Sequence, residues 1–296
     1  MEVMKNQIKP IFEFLVWPNC NNFCSFCFQR EECKNLLKEQ KIKSLHKVDE
    51  FLDSDKFIKG SHILLVGGEI FDDLSFRDVW QDFFERLTFR MFHNDIDLLY
   101  INTNLLYNDI TLIEDLFSWI DYYSLWERLK FTTSYDLKGR FHTKDREQLF
   151  LDNLKKIKDL YPKCNIVVNT ILTNETCEQI INDKFNPKQF CNEYKCDINL
   201  IPYIVYTKEL SATCSQIVKA LCHTDYLMNG YIGRYYNNLN LPQEKLLYKY
   251  NGSTNELEFV SCGHSECGHS ENFKKVLDKD VCYVCMLREL LSSIAC

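Results

Sequence analysis

Short apolar runs alternate with longer amphipathic stretches along most of the chain. Residues 11–17, 63–66, 97–102, 129–133, 165–172 and 197–206 are rich in β-branched and aromatic residues and read as strands. Between them, 75–89 (with Ser75 as its cap), 109–122, 144–160 and 174–185 carry apolar residues at helical spacing, and 207–222 follows the last strand. Six β-α repeats of this kind predict an α/β fold with a parallel sheet and helices packed outside it. Two architectures fit: an open doubly wound sheet, or a partial (β/α)6 barrel. In both, ligands gather at the carboxyl ends of the strands.

Past residue 222 the pattern changes. Residues 223–255 are polar and rich in Asn and Tyr, with Asn251-Gly252 between the runs 246–250 and 257–260. That arrangement predicts a hairpin with a loop longer than two residues. A cysteine-rich stretch and a final helix over 286–293 follow. The expected organisation is a core over 1–222 and a small extension over 223–296. The one internal repeat is short, Cys-Gly-His-Ser-Glu at 262–266 and again at 267–271. It is far below the period of a solenoid.

Composition narrows the functional classes. The chain has 296 residues, 46% hydrophobic and 26% charged, which is ordinary for a globular protein. No apolar run reaches the ~20 residues of a membrane span. Lys plus Arg is 35 against 42 Asp plus Glu, a net charge of −7, and this counts against a nucleic-acid partner. The number that changes the picture is 15 cysteines. An odd count cannot pair completely, and Met1 to Pro10 carry no apolar signal segment, so a disulfide scaffold is the wrong expectation and a reducing cytoplasm the right one. Metal ligands, reactive thiols and buried packing cysteines remain.

The first predicted strand runs into Cys20-Asn-Asn-Phe-Cys24-Ser-Phe-Cys27. Three thiols within eight residues can converge on one centre. A structural zinc site takes four ligands, with Cys33 the nearest candidate for a fourth. A [4Fe–4S] cluster held by three cysteines instead leaves one iron open for chemistry.

Cys-x3-Cys-x2-Cys with an aromatic residue before the last Cys resembles the signature of radical S-adenosylmethionine (SAM) enzymes, whose core is a partial (β/α)6 barrel. The resemblance implies that the amino and carboxylate groups of SAM chelate the open iron. One electron then cleaves SAM to methionine and a 5′-deoxyadenosyl radical, which abstracts hydrogen from substrate. Gly67-Gly68-Glu69, after the second strand, is similar to that family's Gly-Gly-Glu-Pro segment, with Ile70 in place of Pro. It would contact the methionyl amino group, glycines allowing close backbone approach and a carboxylate suiting an ammonium. Asn102-Thr103-Asn104 is similar to Thr-Asn-Gly, with Leu105 for Gly, and implies an Asn104 contact in the SAM pocket. Ser134-Tyr-Asp136, with Gly139, His142 and Arg146, resembles a segment of the branch that modifies peptides and sulfatases. It brings Ser134 and Arg146 to the ribose or carboxylate of SAM. Ser134 and Asp136 could equally be a helix cap or turn. Asn169 and Ile201-Pro202 also fit the branch, although Asn169 could be a satisfied core amide. The resemblance covers about residues 10–222 and singles out no catalytic side chain.

Cys262-x4-Cys267-x14-Cys282-x2-Cys285 supplies four more thiols, a spacing that suits zinc or a fully ligated second [4Fe–4S] cluster. With the hairpin before it, this segment resembles a twitch or SPASM-type extension, in which Cys222 could replace Cys267 as a ligand, although the compact set Cys262, Cys267, Cys282 and Cys285 is the one expected. Cys191-x4-Cys196 is the one other spaced pair.

The function this implies is a radical SAM oxidoreductase or modifying enzyme acting on a peptide or small-molecule substrate. A net oxidation or bond formation is expected, with an electron donor such as flavodoxin or ferredoxin. The alternatives are a radical SAM enzyme acting on a nucleoside or sugar with a structural zinc site, and a zinc-binding interaction module without catalysis.

Overall fold

A computed structural model describes residues 10–25, 27, 36–201, 212, 214–224, 245–251, 253–254 and 256–262. The first half of the fold runs β1 (Ile11–Leu15), α1 (Lys38–Leu52), β2 (Ser61–Val66), α2 (Arg77–Phe92), β3 (Ile96–Asn102), α3 (Thr111–Tyr122) and β4 (Leu129–Ser134). It continues with α4 (Lys144–Leu160), β5 (Ile166–Ile171), α5 (Asn174–Ile181), α6 (Pro187–Tyr194), β6 (Asp197–Ile201), α7 (Cys214–His223), β7 (Lys245–Asn251) and β8 (Glu256–Cys262).

Among the described residues eight strands form one sheet in the order β6-β5-β4-β3-β2-β1-β7-β8. From β1 to β6 every neighbouring pair is parallel and each new strand is added on the same side. A doubly wound sheet reverses direction midway through its parallel strands, and from β1 to β6 this one does not. With crossovers of one hand, strands added in one direction place every helix on one face, the winding of a barrel wall. The sheet is not closed by β6 on β1. Instead β7 lies parallel on the free side of β1, and β8 returns antiparallel beside it. The predicted hairpin is present, Asn251 opposite Glu256 at its turn, and it extends the core sheet.

Strand alternation gives the sheet two unlike faces. Phe14, Leu65, Ile101, Phe131 and Ile166 form one register row and are fully buried beneath the helices. The opposite face carries Glu13, Leu64, Tyr100 and Lys130 in one row and Ser134, Asn169 and Asn199 in another, all half-buried. Under the helices, Trp80 of α2 stacks on Phe84 at 4.8 Å and meets Trp17 edge-on at 5.3 Å. The hairpin is secured beneath α1 by Tyr248 against Phe51, ring centroids 4.5 Å apart, and by a Lys47–Glu256 ion pair at 3.2 Å.

Helix starts follow local chemistry. Thr143, Thr173 and Asn186 each accept a backbone N–H of the first turn they precede, and Pro187 occupies the opening of α6. Ser75 is not the cap expected of it. It lies in a 3-10 turn, Leu74–Phe76, whose cap is Asp73, accepting from the Ser75 N–H at 3.0 Å, and α2 begins after that turn. The second strand starts two residues earlier than the apolar run suggested, because Ser61 and His62 pair with β3 although they are polar. The sixth strand is described to Ile201; 202–206 and the helix expected over 286–293 lie outside the described residues. Among the described residues no helix is long and apolar enough to cross a membrane.

Candidate functional site

The loops that leave β1 to β4 at their carboxyl ends meet around the first cysteine group. Val16 N–H donates to Val66 O at 3.0 Å, Gly68 N–H to Trp17 O at 2.8 Å, and Glu69 N–H to Asn19 O at 2.7 Å. The pairing of β1 with β2 thus runs on past the sheet into the segment that delivers Cys20. Gly67 and Gly68 are glycines because of this contact. A Cβ on Gly67 would stand 2.7 Å from Trp17 O, and one on Gly68 1.9 Å from Asn19 O. The close approach that glycine allows is made here to the chain's own backbone.

Glu69 has no exposed surface. Its Oε1 accepts from Phe71 N–H at 3.1 Å and Thr103 Oγ1 at 2.8 Å, and its Oε2 accepts from Asn104 N–H at 2.5 Å. Burial raises its pKa to about 7, against the pull of those donors. Thr103 also pairs with the buried Tyr107 hydroxyl at 3.0 Å. The carboxylate therefore joins the β2 and β3 loops rather than facing open space.

Asn104 passes this order to the cysteines. Its Nδ2 donates to Asn21 Oδ1 at 2.7 Å and lies 3.6 Å from Cys20 Sγ, while its Oδ1 accepts from Leu106 N–H at 2.8 Å. Leu105, standing where the resembling motif has glycine, has a φ of 56°, in the region that favours glycine.

The β4–α4 loop closes the other side. Ser25 N–H donates to Gly139 O at 2.7 Å, His142 Nε2 lies 2.7 Å from Phe23 O, and Arg146 Nη2 donates to Asn21 O at 2.9 Å. Asp136, fully buried, is neither cap nor simple turn. One oxygen accepts from Ile171 N–H at 2.7 Å and the other from Arg140 Nε at 2.6 Å. Arg140 Nη1 lies 3.6 Å from Cys24 Sγ, and Asn22 Nδ2 donates to the same sulfur at 3.2 Å and to Arg140 O at 3.1 Å. Sequence reasoning missed Arg140 and Asn22. The Asp136–Arg140 spacing of four residues was visible, but in a loop such spacing fixes no geometry.

Burial pushes the Cys20 thiol up to about 12 and raises Cys24, whose neighbour Arg140 opposes the rise. The donor set suits a thiolate-bound cluster: thiols from one loop, two of their sulfurs faced by amide or guanidinium N–H groups. Among the described residues no three His, Cys, Asp or Glu side chains close on one ion's position. Arg146 Nε is buried with no hydrogen-bond partner among the described residues, a donor left over beside the cysteine loop.

Ser134 and Asn169 are register partners on β4 and β5, and Asn169 Oδ1 accepts from Asn199 Nδ2 at 3.2 Å. They lie on the half-buried polar face, near the carboxyl edge. Cys262 is placed elsewhere. It pairs with Leu246, which pairs with Phe12 near the start of β1, so its backbone lies at the amino edge of the parallel strands, whereas Cys20 lies beyond the carboxyl edge. Cys33, Cys267, Cys282 and Cys285 lie outside the described residues, as does the side chain of Cys222.

No family model matches the chain, and no curated protein matches it. Similar solved structures include a histidine-tagged anSMEcpe with bound AdoMet, at 16% identity and a TM-score of 0.48, and native anSMEcpe with bound AdoMet, at 15% and 0.48. HydG, a maturase of the [FeFe]-hydrogenase, is similar at 10% identity and a TM-score of 0.43. These likenesses cover 78%, 78% and 73% of this chain, and 63%, 65% and 49% of the respective neighbours. The chain thus spans less than two thirds of the length of each.

Proposed function

We propose that the chain is a radical SAM enzyme, with Cys20, Cys24 and Cys27 holding a [4Fe–4S] cluster. The observation that carries this reading is a three-thiol loop at the carboxyl edge of a singly wound sheet, gripped between the loops after β2, β3 and β4. When bound, such a cluster supplies one-electron reduction of the sulfonium cofactor.

The chain's own residues set the conditions for that chemistry. Gly67 and Gly68 seat the cysteine loop, and Glu69 holds the β2 and β3 loops in register. Arg146, whose Nε has no partner among the described residues, is the candidate cation for the carboxylate of SAM. Ser134 and Asn169 present hydroxyl and amide groups from the polar face for the ribose. That face, with Asn199 beside Asn169, suits a hydrogen-bonding substrate, a peptide or polar small molecule, with a nucleoside or sugar as the alternative. Hydrogen abstraction there would lead to a net oxidation or a new bond, with electrons from a flavodoxin- or ferredoxin-like donor. A second [4Fe–4S] cluster or zinc at Cys262, Cys267, Cys282 and Cys285 belongs to the same proposal, with Cys222 in place of Cys267 as the variant ligand set.

Anaerobic reconstitution tests the reading. About four irons with matching sulfide should bind per chain, or about eight if the second site also holds a cluster. Reduction with SAM present should then release 5′-deoxyadenosine, and Cys20→Ala, Cys24→Ala or Cys27→Ala should abolish that release. A colourless, zinc-loaded protein without sulfide overturns the proposal in favour of a non-catalytic zinc module.

A further inference from the structure

Arg140 belongs to no part of the motif resemblance, yet among the described residues its guanidinium reaches a cysteine of the triplet. Its position is over-determined. The Asp136 carboxylate that holds its Nε at 2.6 Å is itself fully buried and fixed by the Ile171 N–H at 2.7 Å, from the end of β5. Its backbone carbonyl accepts from Asn22 Nδ2 at 3.1 Å, and the same Nδ2 donates to Cys24 Sγ at 3.2 Å. The neighbouring Gly139, at a φ of 88°, turns its carbonyl to Ser25 N–H at 2.7 Å. Nε faces the carboxylate and Nη1 faces the sulfur at 3.6 Å, so the guanidinium bridges Asp136 and Cys24.

We infer that Arg140 is a positioning residue that sets the reduction potential of the cluster through the Cys24 sulfur. The inference rests on the proposed [4Fe–4S] site. A reduced cluster carries one more negative charge than an oxidised one. A fixed cation and its N–H at a ligand sulfur therefore stabilise the reduced form more, and the potential rises. A buried ion pair held by a backbone N–H cannot swing away, so the effect is built into the fold. Asn22 shares the sulfur but is uncharged and gives the smaller part.

The test is an EPR-monitored redox titration of the reconstituted full chain. Arg140→Gln should shift the midpoint potential to more negative values at unchanged iron and sulfide content, and Arg140→Lys should restore part of the shift. Arg140→Gln alone strands the buried Asp136 charge and endangers folding. The double variant D136N/R140Q removes both charges and should show a negative shift smaller than that of Arg140→Gln, because the Asp136 charge it also removes opposes the nearer guanidinium. An unchanged potential in a cluster-loaded R140Q or D136N/R140Q protein overturns the inference while leaving the cluster in place. Absence of iron and sulfide from the wild-type chain overturns the underlying reading instead.

Discussion

Gly68 lies so close to Asn19 that a Cβ on the glycine would fall 1.9 Å from the asparagine carbonyl oxygen. The neighbour is backbone in a segment pinned on both sides, by Gly68 N–H to Trp17 O and by Glu69 N–H to Asn19 O. It cannot give way as a flexible side chain would. Gly68→Ala must displace the chain just before Cys20, at a cost of about 1–3 kcal/mol or more. The variant should melt lower and bind less iron on reconstitution. Gly67→Ala, with its nearest contact at 2.7 Å, should show the same defects more weakly. Equal Tm and iron content in wild type and Gly68→Ala would remove the glycine pair from the account of the site.

Glu69 links stability to pH. Its folded pKa of about 7 stands above the ordinary value of 4.5. A buried acid raised in this way binds protons more tightly folded than unfolded, so stability is greatest below the unfolded pKa. It declines as pH rises toward 7 and is level above that. The difference corresponds to about 3 kcal/mol. Burial raises Asp136 and Asp72 in the same direction, so a comparison isolates Glu69. Glu69→Gln in the metal-free protein should lose about 1–3 kcal/mol at low pH, because an amide cannot accept from all three donors. Its unfolding free energy should then fall less than wild type between about pH 5 and 8, the window that spans the two pKa values. Parallel urea-denaturation curves for the two proteins would contradict this.

How much of this was legible beforehand depended on whether a feature was local. Helix α4 has the bounds its periodicity predicts, because Thr143 caps it and apolar residues recur to its end. Helix α6 was missed, since eight residues with buried Pro187 and Phe190 give too short a stripe to stand out. Three thiols near one another followed from their spacing. That Gly68 faces Asn19 is a contact between separate loops, and that Asp136 binds Arg140 instead of capping a helix depends on the path of an irregular loop, and no periodicity encodes either. The choice between a doubly wound sheet and a barrel wall likewise rested on strand order, which alternation alone leaves open.

Leu105 sets a backbone preference against a packing one. Its φ of 56° costs a non-glycine residue about 1–2 kcal/mol, which Gly would relieve. Its side chain is fully buried, however, and removing it should cost about 2–5 kcal/mol. Lost packing therefore outweighs relieved strain. Leu105→Gly should lower stability in chemical denaturation, although the resembling motif carries glycine there. A stabilised variant would mean that strain dominates at this turn.

Cys191 and Cys196 form a second spaced pair, apart from the triplet. Cys191 of α6 is half-buried, and Cys196 is buried just before β6. The turn through Lys195, at a φ of 51°, brings the Cys196 N–H to Cys191 O at 3.2 Å, and the thiols hydrogen-bond to each other. The Cys196 thiol donates, which lowers the Cys191 pKa and raises its own. Cys164 and Cys177 are instead pushed up to about 12 by burial. Thiolate is the reactive form. Iodoacetamide should therefore modify Cys191 before Cys164 or Cys177 in the folded, metal-free protein, as peptide mapping by mass spectrometry would read. Cys196→Ala removes the donor, so the alkylation profile of Cys191 should move to higher pH and its rate at neutral pH should fall several-fold. The same substitution opens the site slightly, and exposure alone would speed the reaction. A slower Cys191 therefore reports the lost hydrogen bond, and a faster one would assign its reactivity to access.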